Sequence, residues 1–212
     1  MTEIYDGINV VHNFLSSDEI NQIQDYIDKN PTLWQSNNYN GGPFTDNILV
    51  VTNDFQLTKD IHNKLKPYFI DGCPSQPGTI HRFKNGQHMD THNDEPKANV
   101  IFGIVIYIND NYDGGEIVYH SKQDLQHMYP GINEEDIAKN PGIEIKYKPV
   151  AGDMVYHDSS IFHKVNKVLG NQNRYAMSSF VKGCTIENCD GSCWNSHEPE
   201  SNKDIYGNLK SN

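Results

Sequence analysis

At 212 residues the chain is long enough to bury a sizeable core within one domain. Its 28 acidic side chains against 17 basic ones leave a formal net charge of −11, which with no Lys/Arg run argues against nucleic acid or anionic membrane as partner. No stretch approaches the roughly 18 apolar residues of a spanning helix, the first residues are acidic where a signal peptide is basic, and four cysteines are too few for a disulfide scaffold. The expectation is a soluble, cytoplasmic protein with reduced thiols; oligomeric state is not set by these features.

In chain order, Ile8–Phe14 is patterned as a strand. Ser16 and Glu19 then spell a capping box, in which each side chain satisfies the other's backbone amide. The helix that follows carries Ile20, Ile23, Tyr26 and Ile27 on one face. Asn37–Asn47, rich in Gly and Asn, reads as a loop before a short strand at Ile48–Val51. Leu57–Tyr68 repeats the helical pattern, with Pro67 near its end. From Gly78 the pattern changes to short strands between turn signals: Thr79–Phe83, Asn99–Asn109, Glu116–Tyr119, Ile143–Tyr147, Asp153–His157, His163–Val168 and Arg174–Val181. Residues 121–142 interrupt this rhythm, with the capped start of a short helix at Asn133. Beyond Gly183 the chain is polar, so 183–212 reads as a loosely held tail. Two helices followed by strands indicate an α+β protein whose helices buttress an antiparallel β-sandwich or barrel.

The chemistry sits in that second half. His92, Asp94 and His163 supply two imidazoles and a carboxylate, the set that binds Fe(II) on one face and leaves positions open for substrate and O2. An i, i+2 spacing suits a strand or its end, where alternate side chains share a side. Arg174 offers a planar fork of donors suited to a carboxylate of a dicarboxylic cosubstrate.

Phe83-x-x-Gly86-Gln87-x-Met89-x-x-His92-x-Asp94 resembles the metal motif of the prolyl 4-hydroxylase-type 2-oxoglutarate/Fe(II) dioxygenases. Tyr107-Ile108-Asn109 and Gly114-Gly115-Glu116 are similar to that family's next strand and turn. Gly152-Asp153 through His163, then Arg174-Tyr175-Ala176, resembles its distal segment. The likeness runs from about residue 80 to residue 182. It implies a double-stranded β-helix (jelly-roll, cupin-like) with the N-terminal helices packed on one sheet, forming a domain over 1–182 with its motifs in 78–182. It also implies Fe(2+), with 2-oxoglutarate and O2 as cosubstrates and L-ascorbate as an auxiliary. The implied reaction is hydroxylation of an unactivated C–H bond, with a prolyl residue of a peptide or protein as the leading substrate.

Within that resemblance the metal ligands are His92, Asp94 and His163. The overlapping pair His88-x-Asp90 lies out of place relative to Gly86-Gln87. Arg174 is the cosubstrate anchor, with Tyr107 and Ser178 sharing its pocket. Phe83 stands where many members carry a tyrosine, a contact that His81 or Arg82 would have to replace. His157 stands where the family carries an apolar residue, and reads either as a packing histidine or as a support for the ligands. Tyr39 and Phe44 belong to a loop whose counterpart closes over substrate. Cys184, Cys189, Cys193 and His197 have the content of a Cys3His zinc site, against the simpler reading of free thiols or a disulfide. The alternatives are a hydroxylase of a free amino acid or other small molecule and, in a different class, a non-catalytic metal-containing β-barrel binding module.

Overall fold

The computed structural model describes residues 1–39, 42–49, 55–70, 72–94, 99–120 and 144–183. The first helix, α1 (Ser17–Lys29), begins at the expected capping box: the Glu19 amide donates to Ser16 Oγ at 3.3 Å, and the Ser16 amide donates to Glu19 Oε2 at 2.7 Å. Asp18 and Glu19 in its first turn and Lys29 in its last complement the helix dipole. The second helix, α2 (Gln56–Leu65), tightens into a 3-10 turn over Lys66–Tyr68 where Pro67 removes an amide donor. Ile23 and Ile27 of α1 and Leu57, Ile61 and Leu65 of α2 are buried on one apolar surface.

That surface covers a large antiparallel sheet. Its strands are β1 (Thr2–Tyr5), β2 (Ile8–Val11), β3 (Gln35–Tyr39), β4 (Gly42–Leu49), β5 (Gly72–Pro74), β6 (Thr79–Phe83), β8 (Val100–Tyr107), β12 (Met154–Asp158) and β15 (Arg174–Gly183). They lie in the order β1-β2-β12-β8-β15-β6-β4-β3, with β5 added along the end of β15. A second sheet holds β7 (Met89–His92), β10 (Ile117–His120), β11 (Glu144–Tyr147) and β13 (His163–Val165) in the order β11-β10-β13-β7. A two-strand ribbon joins β9 (Asp113–Gly114) to β14 (Val168–Leu169). This is a double-stranded β-helix with helices on one sheet.

The period-2 alternation of the central strands decides what faces where. Ile104 and Ile106 of β8, Met154 of β12, Met177 of β15, Ile80 of β6 and Ile48 of β4 pack against the helices. The alternate set, Tyr107, Val155 and Ala176, packs with Ile117, Tyr119 and Ile161 between the two sheets. The inter-sheet layer also receives polar side chains, which distinguishes it from the dry helix-facing core.

Four expectations need correction. Asn37–Asn47 is not a loop: β3 and β4 form a hairpin over most of it, pairing Ser36 with Asp46 and Asn37 with Thr45. The ladder from β4 to β6, together with the buried Asp46 carboxylate bound by Arg82 and Lys84, outweighs the strand-poor composition. The strand that begins at Ile8, β2, stops at Val11 instead of Phe14, because Asn13 takes φ 54° and the Leu15 amide turns to the Gly152 carbonyl. His163–Val168 divides into β13 and β14, which serve different partners. Cys73, expected as a free thiol, is disulfide-bonded. The 121–142 insertion with its helix start at Asn133 lies outside the described residues, as do Cys184, Cys189, Cys193 and His197. No helix among the described residues is long and apolar enough to cross a membrane.

Candidate active site

His92 ends β7 and His163 opens β13, and the two are direct cross-strand partners. Opposed residues on neighbouring strands project from the same face, so the rings meet with centroids 4.3 Å apart. Asp94 follows β7 by two residues and is placed by its amide, which donates to the Ser159 carbonyl at 2.8 Å. One ligand atom from each of His92, Asp94 and His163 lies within 4.8 Å of the others.

The backbone sets the chemistry of both imidazoles. His92 Nδ1 lies 2.8 Å from the Asp90 carbonyl oxygen, and His163 Nδ1 lies 3.0 Å from that of Ile161. A carbonyl only accepts, so each Nδ1 carries the proton and each Nε2 presents a lone pair. Burial, then the neighbouring His157 and His92 rings, hold His163 well below the ordinary histidine range. It therefore stays neutral, the form a metal requires. Iron fits this donor set.

The same shift predicts a pH effect. Unfolded His163 takes up its proton near the ordinary 6.5, whereas the folded residue resists until lower pH. The unfolded state thus binds more protons below about 6.5, and stability falls as pH drops through that value. Thermal unfolding of metal-free protein between pH 7 and 5 should show this slope, and His163→Phe should make it shallower. An unchanged slope would contradict the assignment.

Gly103 makes room for the carboxylate. It faces His157 in the register between β8 and β12. A Cβ at Gly103 would overlap Asp94 Oδ2 and stand 2.7 Å from His157 Nε2. Glycine within an apolar strand signals such a close approach. Gly103→Ala should therefore cost about 1–3 kcal/mol of stability through overpacking and weaken divalent-metal binding at least in step, as read by thermal melts and metal titration. Native behaviour in both would sink this steric account.

Arg174 opens β15 opposite Phe83 and is 1% exposed. Its guanidinium carbon lies 4.8 Å from the Phe83 ring centroid and 5.2 Å from that of Tyr107. Among the described residues the buried Nε and Nη2 find no hydrogen-bond partner, and neither do the buried hydroxyls of Tyr107 and Tyr112. Burial pushes both phenols up despite the adjacent cation, so they remain neutral donors. Phe83, Tyr112, Val165 and Val168 enclose this corner with apolar surface. A buried cation whose donors are left unpaired carries a penalty of several kcal/mol, which an anion in the pocket would offset.

The remaining sequence candidates separate by strand parity. Ser178 shares Arg174's face, and its hydroxyl lies 2.8 Å from His81 Nε2. His81 shares the face of Phe83, whereas Arg82 points to the opposite side, bound to Asp46 at 2.7 Å and stacked 4.1 Å over Trp34. Of the two proposed substitutes for the family tyrosine, only His81 faces the inter-sheet layer. His88 and Asp90 stand 3.2 Å from each other, on exposed surface outside the cluster. Tyr39 and Phe44 lie in β3 and β4, but their side chains are outside the described set. Gly103, Tyr112 and Tyr119 were not singled out from sequence as site residues, although Gly103 shares the parity of Tyr107.

Residues 78–182 match the 2OG-Fe(II) oxygenase superfamily. Among solved structures, a prolyl-4-hydroxylase from Pseudomonas putida aligns over 84% of this chain and 93% of its own, at 13% identity and a TM-score of 0.56. The non-heme alpha-ketoglutarate-dependent epimerase SnoN, from nogalamycin biosynthesis, aligns over 94% and 87%, at 12% identity and 0.67. HygX from Streptomyces hygroscopicus, solved with nickel, 2-oxoglutarate and hygromycin B, aligns over 85% and 84%, at 13% identity and 0.64. At such identities the likeness is one of fold. A sequence search of curated proteins returned no match. The matched span holds the His92/Asp94/His163 cluster and the buried Arg174, and the chain belongs to the 2OG-Fe(II) oxygenase superfamily, oxidoreductases whose chemistry draws on Fe(2+), 2-oxoglutarate and O2.

Proposed function

We propose that His92 Nε2, one Asp94 carboxylate oxygen and His163 Nε2 hold Fe(2+), and that Arg174 with Tyr107 binds the distal carboxylate of 2-oxoglutarate. The buried guanidinium with unpartnered donors is the observation that carries this reading, because a structural metal module needs no such anion anchor. A zinc hydrolase needs none either. Iron held there would supply the oxidation chemistry, in which O2 gives one oxygen atom to succinate as 2-oxoglutarate loses CO2 and the other to the hydroxyl formed on an unactivated C–H bond.

The chain's own residues bind, orient and exclude water. Tyr107, fully buried, donates its hydroxyl beside the guanidinium and adds direction to a mainly charged contact. Phe83, Tyr112, Val165 and Val168 keep the anchor dry and so strengthen it. Ser178 and His81 extend the same face as a polar pair and are assigned to cosubstrate positioning. Tyr107→Phe should raise the KM for 2-oxoglutarate by the equivalent of about 0.5–1.5 kcal/mol, one hydrogen bond; an unchanged KM in steady-state assays would remove Tyr107 from the anchor.

A prolyl residue of a peptide or protein is the proposed target, on the strength of the motif resemblance and of fold likeness to the P. putida enzyme and to a Trichoplax adhaerens prolyl hydroxylase solved with a hypoxia-inducible-factor peptide. Fold likeness to SnoN and HygX favours the second reading, a small-molecule substrate, and their TM-scores are the higher ones. Tyr39 and Phe44, on the β3–β4 hairpin, are assigned to substrate contact. L-ascorbate is proposed as the reductant that keeps iron in the Fe(II) state. A zinc site at Cys184, Cys189, Cys193 and His197 needs three thiolates, so it is proposed only for a chain with those cysteines reduced. A cytoplasmic location is proposed, and the Cys73 disulfide weighs against it.

The test follows succinate formed from 2-oxoglutarate by Fe(II)-loaded protein, alone and with proline-containing peptides, free proline and small-molecule libraries. Peptide-stimulated succinate with a matching 16 Da mass gain supports the prolyl reading. Stimulation only by a small molecule selects the second reading, and no succinate under any condition overturns the oxygenase assignment.

A further inference from the structure

His157 is a buried polar side chain beside the candidate ligands, and the chemistry above gives it no task. It lies on β12 at 1% exposure, opposite Gly103. A buried imidazole is costly unless its nitrogens find partners. His157 Nε2 lies 3.3 Å from Asp94 Oδ2, within ion-pair distance though outside hydrogen-bond geometry, and Nδ1 lies 3.4 Å from the Tyr119 hydroxyl. Its ring meets the His163 ring edge-on, with centroids 4.3 Å apart. Both polar contacts are slightly longer than the usual range of about 2.7–3.2 Å, yet they place three buried groups in line.

Elementary donor and acceptor rules order the protons. A carboxylate can only accept, so in the neutral imidazole the proton is assigned to Nε2, the nitrogen that faces Asp94. Nδ1 is then an acceptor, and Tyr119 must donate to it. Tyr119 is fully buried, and burial holds its phenol well above the ordinary range, so it keeps the proton it donates. The pair Asp94 and His157 occupies the space that a side chain at position 103 would fill, so the backbone is shaped for this contact.

We propose that His157, held by Tyr119, is a positioning residue that ties down Oδ2 of Asp94, so that the carboxylate presents Oδ1 alone to the metal. This rests on the reading of His92, Asp94 and His163 as ligands. An untethered carboxylate can chelate through both oxygens and close a coordination position that cosubstrate or O2 requires. Outer partners of metal ligands typically account for 10–100-fold in metal affinity.

The experiment uses the full chain under anaerobic conditions, with Mn(II) titrations, Co(II) absorption spectra and thermal melts of the metal-free protein. His157→Phe should lower Mn(II) affinity by roughly 10–100-fold, alter the Co(II) ligand-field bands, and leave the metal-free melting midpoint at or above that of the native chain. His157→Gln, whose amide can donate from a similar place, should recover most of the affinity, and Tyr119→Phe should show a smaller loss. Native affinity and spectrum in His157→Phe would overturn the proposal. So would equal losses in His157→Gln and His157→Phe that follow a lowered melting midpoint, since those mark packing alone. If His157→Phe does not fold, His157→Gln and Tyr119→Phe decide between the same outcomes. His163→Ala is the control: if it leaves Mn(II) binding intact, the ligand assignment fails, and the role of His157 with it; if it abolishes binding while His157→Phe does not weaken it, only the His157 proposal fails.

Discussion

Asp94→Ala is expected to reduce Fe(II)-dependent succinate formation to background, while Asp90→Ala keeps most of it. The two carboxylates are two residues apart, yet their settings differ. Asp94 is buried beside His163 and His157, with its amide anchored to Ser159. Asp90 is exposed and faces His88. Removing Asp94 deletes one of three proposed ligands and the anionic member of the cluster, which would leave two neutral imidazoles to balance a divalent cation. Metal titration beside succinate assays distinguishes the pair of variants. Retained turnover in Asp94→Ala with loss in Asp90→Ala would reverse the assignment.

Arg174→Ala is the second large effect. The guanidinium is buried between two aromatic rings and, among the described residues, no carboxylate pairs with it. Truncating one partner of a buried charged hydrogen-bond pair typically costs on the order of 2–5 kcal/mol of binding. At about 1.4 kcal/mol per tenfold, that is a rise of roughly 30-fold or more in the KM for 2-oxoglutarate. Fe(II) affinity should change far less, because Arg174 is not among the clustered ligand atoms. The same variant relieves a buried, incompletely paired charge, so its melting midpoint need not fall. Steady-state KM measurements with separate metal titrations check this, and parallel weakening of both would count against an anchor.

The sequence carried the central strands and the His92/Asp94/His163 cluster because both are written in short-range patterns. Thr79–Phe83 was legible to the residue, and the core strands from Val100, Met154 and Arg174 to within a few, since alternation survives wherever one face is buried. The Ser16/Glu19 box was equally local. The β3–β4 hairpin was not legible: its residues are polar and Gly/Asn-rich, and it is ordered by a ladder to β6 and by Asp46, whose partners lie far along the chain. The two-residue strands β9 and β14 are too short to show any period. At the site, His92, Asp94, His163 and Arg174 announced themselves by residue type and order. The Tyr119–His157–Asp94 line and the glycine that admits it did not, because they depend on which residues of β8 and β12 stand opposite one another. Register across a sheet is a tertiary fact.

The central claim is that one pocket binds Fe(II) through His92, Asp94 and His163 and 2-oxoglutarate through Arg174. Anaerobic addition of 2-oxoglutarate to the Fe(II)-loaded chain tests it directly. A weak visible charge-transfer band should appear with the native protein, shift to much higher 2-oxoglutarate concentration in Arg174→Ala, and be absent in Asp94→Ala. A native chain that binds Fe(II) yet develops no band at saturating 2-oxoglutarate would contradict the account.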